Sequence, residues 1–196
     1  VDTQILCTHA YNTAIEALNG TRNALDPDAI DQAATLLQRA RQVFCFGQGG
    51  SSLLASDIWA RFATISTKFH TSGDSHMQAI AASLMGPEDV VLIISNSGTS
   101  NRLQILAQGA KENGAAVILI TNNPESPLAQ MADYRIITAT REKLFTEEFW
   151  FSRVAATAVM EILYLLLMAG MPTAAGHVRR HEKAISADKQ MEKRKE

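Results

Sequence analysis

After residue 42 the chain alternates short runs that are apolar at nearly every position with longer stretches of helical spacing. The runs are Val43–Phe46, Lys68–His70, Val90–Ser95, Ala116–Thr121 and Arg135–Thr138. A strand that is apolar on both faces must be covered on both, which is the condition of a parallel sheet. The intervening stretches, near 52–64, 75–84, 100–113 and 126–131, read as crossover helices between successive parallel strands. Right-handed crossovers then predict a three-layer α/β/α sandwich around a mainly parallel five-stranded sheet.

Extra helices are expected at both ends. Ile5, Leu6, Ala10, Ala14, Ile15 and Leu18 recur every three to four residues, with Gly20 as the expected stop. Asp26-Pro27 supplies an N-cap and an N1 proline to a second helix through Ala29, Ile30, Ala33, Leu36 and Leu37. Two more close the chain, near 147–169 and 174–193, parted by Gly170 and Pro172. This divides one globular unit into N-terminal helices over 1–40 and a sheet-bearing domain over 41–196. A chain of 196 residues, 46% of them hydrophobic, buries roughly 70% of its extended surface without a disulfide or metal staple.

Charge and cysteines narrow the function classes. Residues from Gly176 onward carry seven basic and four acidic side chains, whereas the preceding part carries 11 and 16. A net-acidic body argues against a broad nucleic-acid-binding face, and the mixed-sign tail reads as solvated helix. Cys7 and Cys45 make no disulfide framework or metal motif, and Cys45 falls inside an apolar run. The opening residues lack the basic and apolar blocks of a secretion signal. The apolar stretch Val154–Met171 holds Glu161 mid-way and reads as a buried helix rather than a membrane span. A reducing, cytoplasmic setting is therefore expected, with no membrane partner. The first residue is Val1, so the chain reads as part of a longer protein.

Two strand ends concentrate candidate chemistry. Phe46-Gly47-Gln48-Gly49-Gly50-Ser51-Ser52 is a glycine-rich turn leading straight into a helix. Such a turn lets backbone approach a ligand and offers helix-start N–H groups to an anion; equally, it serves as a tight turn with Ser51 as cap. Ser95-Asn96-Ser97-Gly98-Thr99-Ser100-Asn101 follows the third run, and six of its seven residues carry a hydroxyl or amide. Short hydroxyls and free N–H groups suit a phosphate. Both turns lie at the carboxyl ends of neighbouring predicted strands, where open parallel sheets bind ligands.

Competing motifs fail. No lysine follows a glycine turn, so a P-loop is absent; Gly47-x-Gly49-x-x-Ser52 lacks the third glycine of a dinucleotide fingerprint. No nucleophile elbow or zinc-protease motif occurs.

Gly47-x-Gly49-x-Ser51, Ser95-x-Ser97-Gly98-x-Ser100 and Ser126-Pro127-Leu128-Ala129 resemble a sugar isomerase (SIS) domain over about residues 40–170. Asp74-x-His76-x-Gln78, Ser152-Arg153 and the two leading helices most resemble the effector domain of RpiR/MurR-type bacterial transcription regulators. The resemblance implies a flavodoxin-like sheet and a phosphorylated sugar or amino-sugar ligand, with no cofactor and no metal. It implies a homodimer or higher homo-oligomer, and contact with DNA only through a separate helix-turn-helix domain preceding this region. Carried over, the phosphate-binding hydroxyls are Ser51, Ser95, Ser97 and Ser100; Gly47, Gly49, Ser52, Asn96 and Gly98 complete the expected ligand-binding set. The family often has Thr at the position of Ser100 and an acid near Arg102.

The remaining polar residues admit two readings each. Glu147 and Glu148 open a helix where SIS isomerases place a catalytic glutamate, or they complement its dipole. With His76 they form the catalytic set if the chain is an aldose–ketose isomerase, the alternative to a ligand sensor. His76 and His177 are the residues expected to reach a partner's pocket across a dimer interface. His177 and His181 also match helical metal-ligand spacing, yet no third ligand accompanies them.

Overall fold

The computed structural model describes residues 2–139 and 153–193. Five strands form: β1 Gln42–Gly47, β2 Phe69–Thr71, β3 Asp89–Ile94, β4 Ala116–Thr121 and β5 Tyr134–Ile137. All are parallel and ordered β2-β1-β3-β4-β5. The chain therefore reverses its direction of winding between β1 and β3, the switch point of a flavodoxin-like sheet. The expected three-layer α/β/α sandwich with five parallel strands is what the chain adopts.

Strand periodicity sorts the apolar runs into two cores. Val43, Cys45, Val90, Leu92, Ile94, Ile118 and Ile120 face one side, with α2 (Pro27–Arg39), α3 (Gly50–Ala63) and α7 (Val154–Gly170) over them. Phe46, Val91, Ile93, Val117 and Leu119 face the other, beneath α4 (Ser75–Leu84), α5 (Asn101–Glu112) and α6 (Pro127–Met131). All six residues of β3 are buried, because it lies between β1 and β4 with helices above and below. Each fully buried Ile or Leu there contributes about 1.5–3 kcal/mol of transfer free energy.

One helix boundary differs from the sequence expectation. α1 (Thr3–Ala24) runs straight through Gly20, which is used for packing: a Cβ there would stand 3.1 Å from Ala139 Cβ. The stop comes at Leu25 instead, because Pro27 holds Asp26 in extended backbone. Asp26 then caps α2 as expected, its carboxylate accepting from Asp28 N. α7 is described from Val154, with Arg153 as N-cap; the expected start near 147 lies outside the described residues. α8 (Ala174–Lys193) has the expected span.

α7 buries Ala155, Val159, Met160, Leu163 and Leu167 along one face and leaves Leu165 64% exposed. Its breadth of apolar surface is covered by α1, α2 and α3 from within the chain. Gly170 closes this packing: the Gln38 amide sits where its Cβ would be and donates to the Leu166 carbonyl at 3.0 Å. Among the described residues, no single helix is long and apolar enough to cross a membrane.

Cys45 lies wholly inside the β1 core, and burial pushes its thiol up to about 12. Cys7 is exposed. A thiol titration of the native protein is expected to count one reactive cysteine at pH 8 and two in denaturant. The raised value makes the folded thiol ionise later than the unfolded one at about 9. Stability is therefore unaffected below pH 9 and falls by about 1.4 kcal/mol per pH unit from there towards 12. A Cys45→Ala variant lacking that extra slope in alkaline unfolding curves is the check.

Candidate functional site

The turn after β1 is built by two glycines with different tasks. Gly47 lies so close to the first turn of α3 that a Cβ would stand 2.5 Å from the Ser51 carbonyl oxygen. Gly49 takes φ +55°, turns the chain into α3 and leaves that helix start without a side-chain cap. Ser52 spends its hydroxyl on the Gly49 carbonyl at 2.7 Å, so Ser51 is the turn residue whose hydroxyl stays with the cleft.

The turn after β3 is held from behind. Gly98 adopts φ +67° and packs against Ser126; a Cβ there would fall 2.0 Å from Ser126 Oγ. Ser126 is buried and caps α6 by accepting from Ala129 N, while Leu128 N donates to the Gly98 carbonyl at 3.1 Å. The Ser126-Pro127-Leu128-Ala129 pattern is thus the mould against which the serine-rich turn is cast. Within the turn, Ser95 Oγ accepts from Gly98 N, Ser100 caps α5 by accepting from Leu103 N, and Ser97 Oγ lies 2.9 Å from Thr99 Oγ1. Thr121 Oγ1 donates to the Asn96 carbonyl at 3.1 Å, which ties the end of β4 to the same loop.

A cavity of about 430 Å³ opens between these turns, over the β1/β3 switch point. Its floor is apolar, made of Leu54, Ile94, Leu103 and Ile120. Of the residues expected from sequence, Ser51, Ser95, Asn96, Ser97 and Ser100 line it, whereas Gly47, Gly49, Ser52 and Gly98 shape the turns without lining it. Four further polar residues line it that the sequence reading did not assign to the ligand: Gln48, Thr121, Thr138 and Arg153, the last noted only as part of the Ser152-Arg153 resemblance. A signal for two of them was present, since the fourth and fifth runs both end on threonine. Arg153 is the single charged side chain among the described lining residues.

The other candidates lie elsewhere. His76 stands on the first turn of α4, which Asp74 caps by accepting from Met77 N, and borders a second groove between α4 and α5 that meets the cavity at Gln48. Arg102 borders that groove too, donating to Ser75 Oγ at 3.3 Å. His177 sets its ring Nδ1 against the Ile65 carbonyl, fastening α8 to the end of α3. Glu147 and Glu148 lie outside the described residues. No carboxylate or imidazole occurs among the described residues lining the cavity, and no described group of three His, Cys, Asp or Glu is placed to hold a metal.

A parallel 2-1-3-4-5 sheet with a hydroxyl-rich cavity at its switch point defines a flavodoxin-like α/β domain with a small-ligand-sized site. The chain belongs to the SIS-domain family: the SIS domain model matches residues 36–166. The HTH-type transcriptional regulator RpiR of Escherichia coli K12 is 31% identical over 139 residues, 71% of this chain and 47% of that protein. The chain spans about half to two thirds of the length of the curated regulators it matches. Vibrio vulnificus NanR, solved complexed with ManNAc-6P, shares the fold with a TM-score of 0.85 at 22% identity, over 93% of this chain and 69% of that one. The sugar isomerase domain of an RpiR transcription factor from Sphaerobacter thermophilus gives 0.83 at 24% identity, over 91% and 98%.

Proposed function

We propose that this domain binds a phosphorylated sugar or amino sugar and serves as the ligand-sensing, dimerising part of a cytoplasmic transcription regulator. The observation that carries the reading is the cavity's composition: hydroxyls and amides from four strand ends, an apolar floor and one guanidinium. Hydroxyl donors beside a single cation match a small anion with a polar body, and about 430 Å³ is within the range of small-ligand sites. DNA would be engaged by a helix-turn-helix domain of the full-length regulator. NanR, with its sugar phosphate bound, supports the ligand class.

Ser51→Ala and Ser97→Ala are each expected to weaken sugar-phosphate binding by about 1–3 kcal/mol, because each deletes a donor to a charged acceptor. Calorimetric titration of a panel of sugar phosphates measures this, with melting curves as the check on folding. Unchanged affinity in both variants would place the phosphate elsewhere. An assay for ketose–aldose interconversion is expected to detect no turnover.

The dimer reading rests on α1. Ile5, Leu6, Tyr11, Ile15 and Leu18 are 38–75% exposed, and every described residue from Asp2 to Asn12 is exposed. In proteins most of a helix's stability comes from packing its apolar face, and this stretch of α1 leaves its apolar side chains exposed. A second copy, related by the commonest oligomeric symmetry, would cover that stripe, with His76 and His177 as the side chains proposed to reach the partner's cavity. Sedimentation at micromolar concentration is expected to give a dimer. A stable 21.3 kDa species, unchanged by sugar phosphate, would exclude it.

A further inference from the structure

The Asp74-x-His76-x-Gln78 pattern contains one residue that the proposed function leaves unused. Gln78 is 1% exposed, yet its amide is fully occupied: Nε2 donates to the Gly47 carbonyl at 3.1 Å and to the Ser72 carbonyl at 2.7 Å. Both of its N–H bonds are consumed by carbonyl oxygens, which can only accept, so its own Oε1 must take a donor. That donor is Gln48 Nε2, at 2.6 Å. The chain of bonds therefore settles which way the Gln48 amide faces. Gln48 turns its NH₂ to Gln78, spends one of its two N–H groups there, and keeps Oε1 as an acceptor that no hydrogen bond described here occupies.

Gln48 stands in the wall between the ligand cavity and the α4–α5 groove and borders both. A carbonyl oxygen there repels an anion and attracts a donor. The serines and Arg153 of the same cavity can all donate to a phosphate. The two kinds of group divide the cavity between the charged end and the hydroxyl- or amide-bearing end of one ligand. Resting on the sugar-phosphate reading above, we propose that Gln48 is the specificity-determining residue for the sugar end, accepting from a ligand O–H or N–H, and that Gln78 is its positioning residue. A site built to satisfy a ligand donor rejects analogues that lack it, because its own polar group is then left unpaired.

The test compares Gln48→Met and Gln78→Met with the native chain, using inorganic phosphate, glucose 6-phosphate, fructose 6-phosphate and N-acetylglucosamine 6-phosphate as probes in calorimetric titrations. The native protein is expected to bind at least one sugar phosphate more tightly than inorganic phosphate. Gln48→Met is expected to lose about fivefold to tenfold in that sugar-phosphate affinity while inorganic phosphate changes by less than about twofold. Gln78→Met is expected to show the same selective loss, a pattern that a general distortion of the turn would not give. Should Gln78→Met not fold, Gln48→Met decides alone, since Gln48 is half-buried and its side chain holds no backbone group. Equal losses for phosphate and sugar phosphate, no loss at all, or a native protein binding phosphate no more weakly than every sugar phosphate would overturn the assignment of Gln48. A native protein that binds none of the four probes would overturn the anion site itself, and this role with it.

Discussion

Gly98→Ala is expected to cost about 3–5 kcal/mol of stability and to abolish ligand binding, the largest effect of any single methyl group in the site. Two terms add. The residue holds φ +67°, a region L-residues enter at a cost of about 1–3 kcal/mol, and the new Cβ would fall 2.0 Å from Ser126 Oγ and 2.4 Å from Ser126 Cβ. Relief by moving Ser126 would break its cap on α6, where it accepts from Ala129 N. Relief by moving the turn would displace Ser97 and Ser100 from the cavity. Gly49→Ala is the control. Gly49 also has positive φ, at +55° with ψ −131°, but nothing lies within 4 Å of its would-be Cβ, so only the backbone term of about 1–3 kcal/mol remains. Urea unfolding of the two variants separates the terms. A Gly98→Ala variant no less stable than Gly49→Ala would mean that the loop does not depend on its contact with Ser126.

Arg153→Gln is expected to lower affinity for a sugar phosphate by about 10- to 100-fold, while the melting temperature stays within a degree or two. Hydrogen bonds to a charged group are worth about 1.5–3 kcal/mol, and a guanidinium can present two of them to one phosphate. The fold does not rely on the side chain: Arg153 is exposed and, as N-cap of α7, makes no side-chain cap bond. The native affinity should fall with rising ionic strength and the variant's much less, because the removed contribution is the charge–charge one. Arg153→Lys should recover part of the loss, as it keeps the charge without the planar fork. Titrations at two salt concentrations decide it; equal salt dependence in native and Arg153→Gln protein would remove Arg153 from the anion's surroundings.

These two residues were not equally visible in the amino-acid sequence. Gly98 stands inside a conspicuous hydroxyl-rich turn, so its importance could be read locally. Arg153 lies beyond the last strand, at the N-cap of α7, and reaches the cavity only because α7 packs over that face of the sheet. Thr121 and Thr138 fall between these cases: each ends an apolar run, but only the order of the strands puts those ends on one rim. Gly20 shows the opposite failure. Helix propensity marks it as a stop, yet packing against Ala139 gives the missing side chain a use, and the helix continues to Ala24.

What the amino-acid sequence determined alone is the class of fold and the two turns at the heart of the site. Both are local: doubly apolar runs require cover on both faces, and glycine and short hydroxyls state their backbone demands within a few residues. The Ser126-Pro127-Leu128-Ala129 pattern was equally legible as a pattern, but its work as the mould for Gly98 was not. Tertiary structure decided what depends on distant pairs meeting. It set Gln78 behind Gln48, 30 residues away, and brought Arg153 over the switch point. It also sent His76 to the α4–α5 groove and His177 to the end of α3. The reason is that a side chain's orientation at a strand end is set by what packs against it, and in a parallel sheet those neighbours always come from other crossovers.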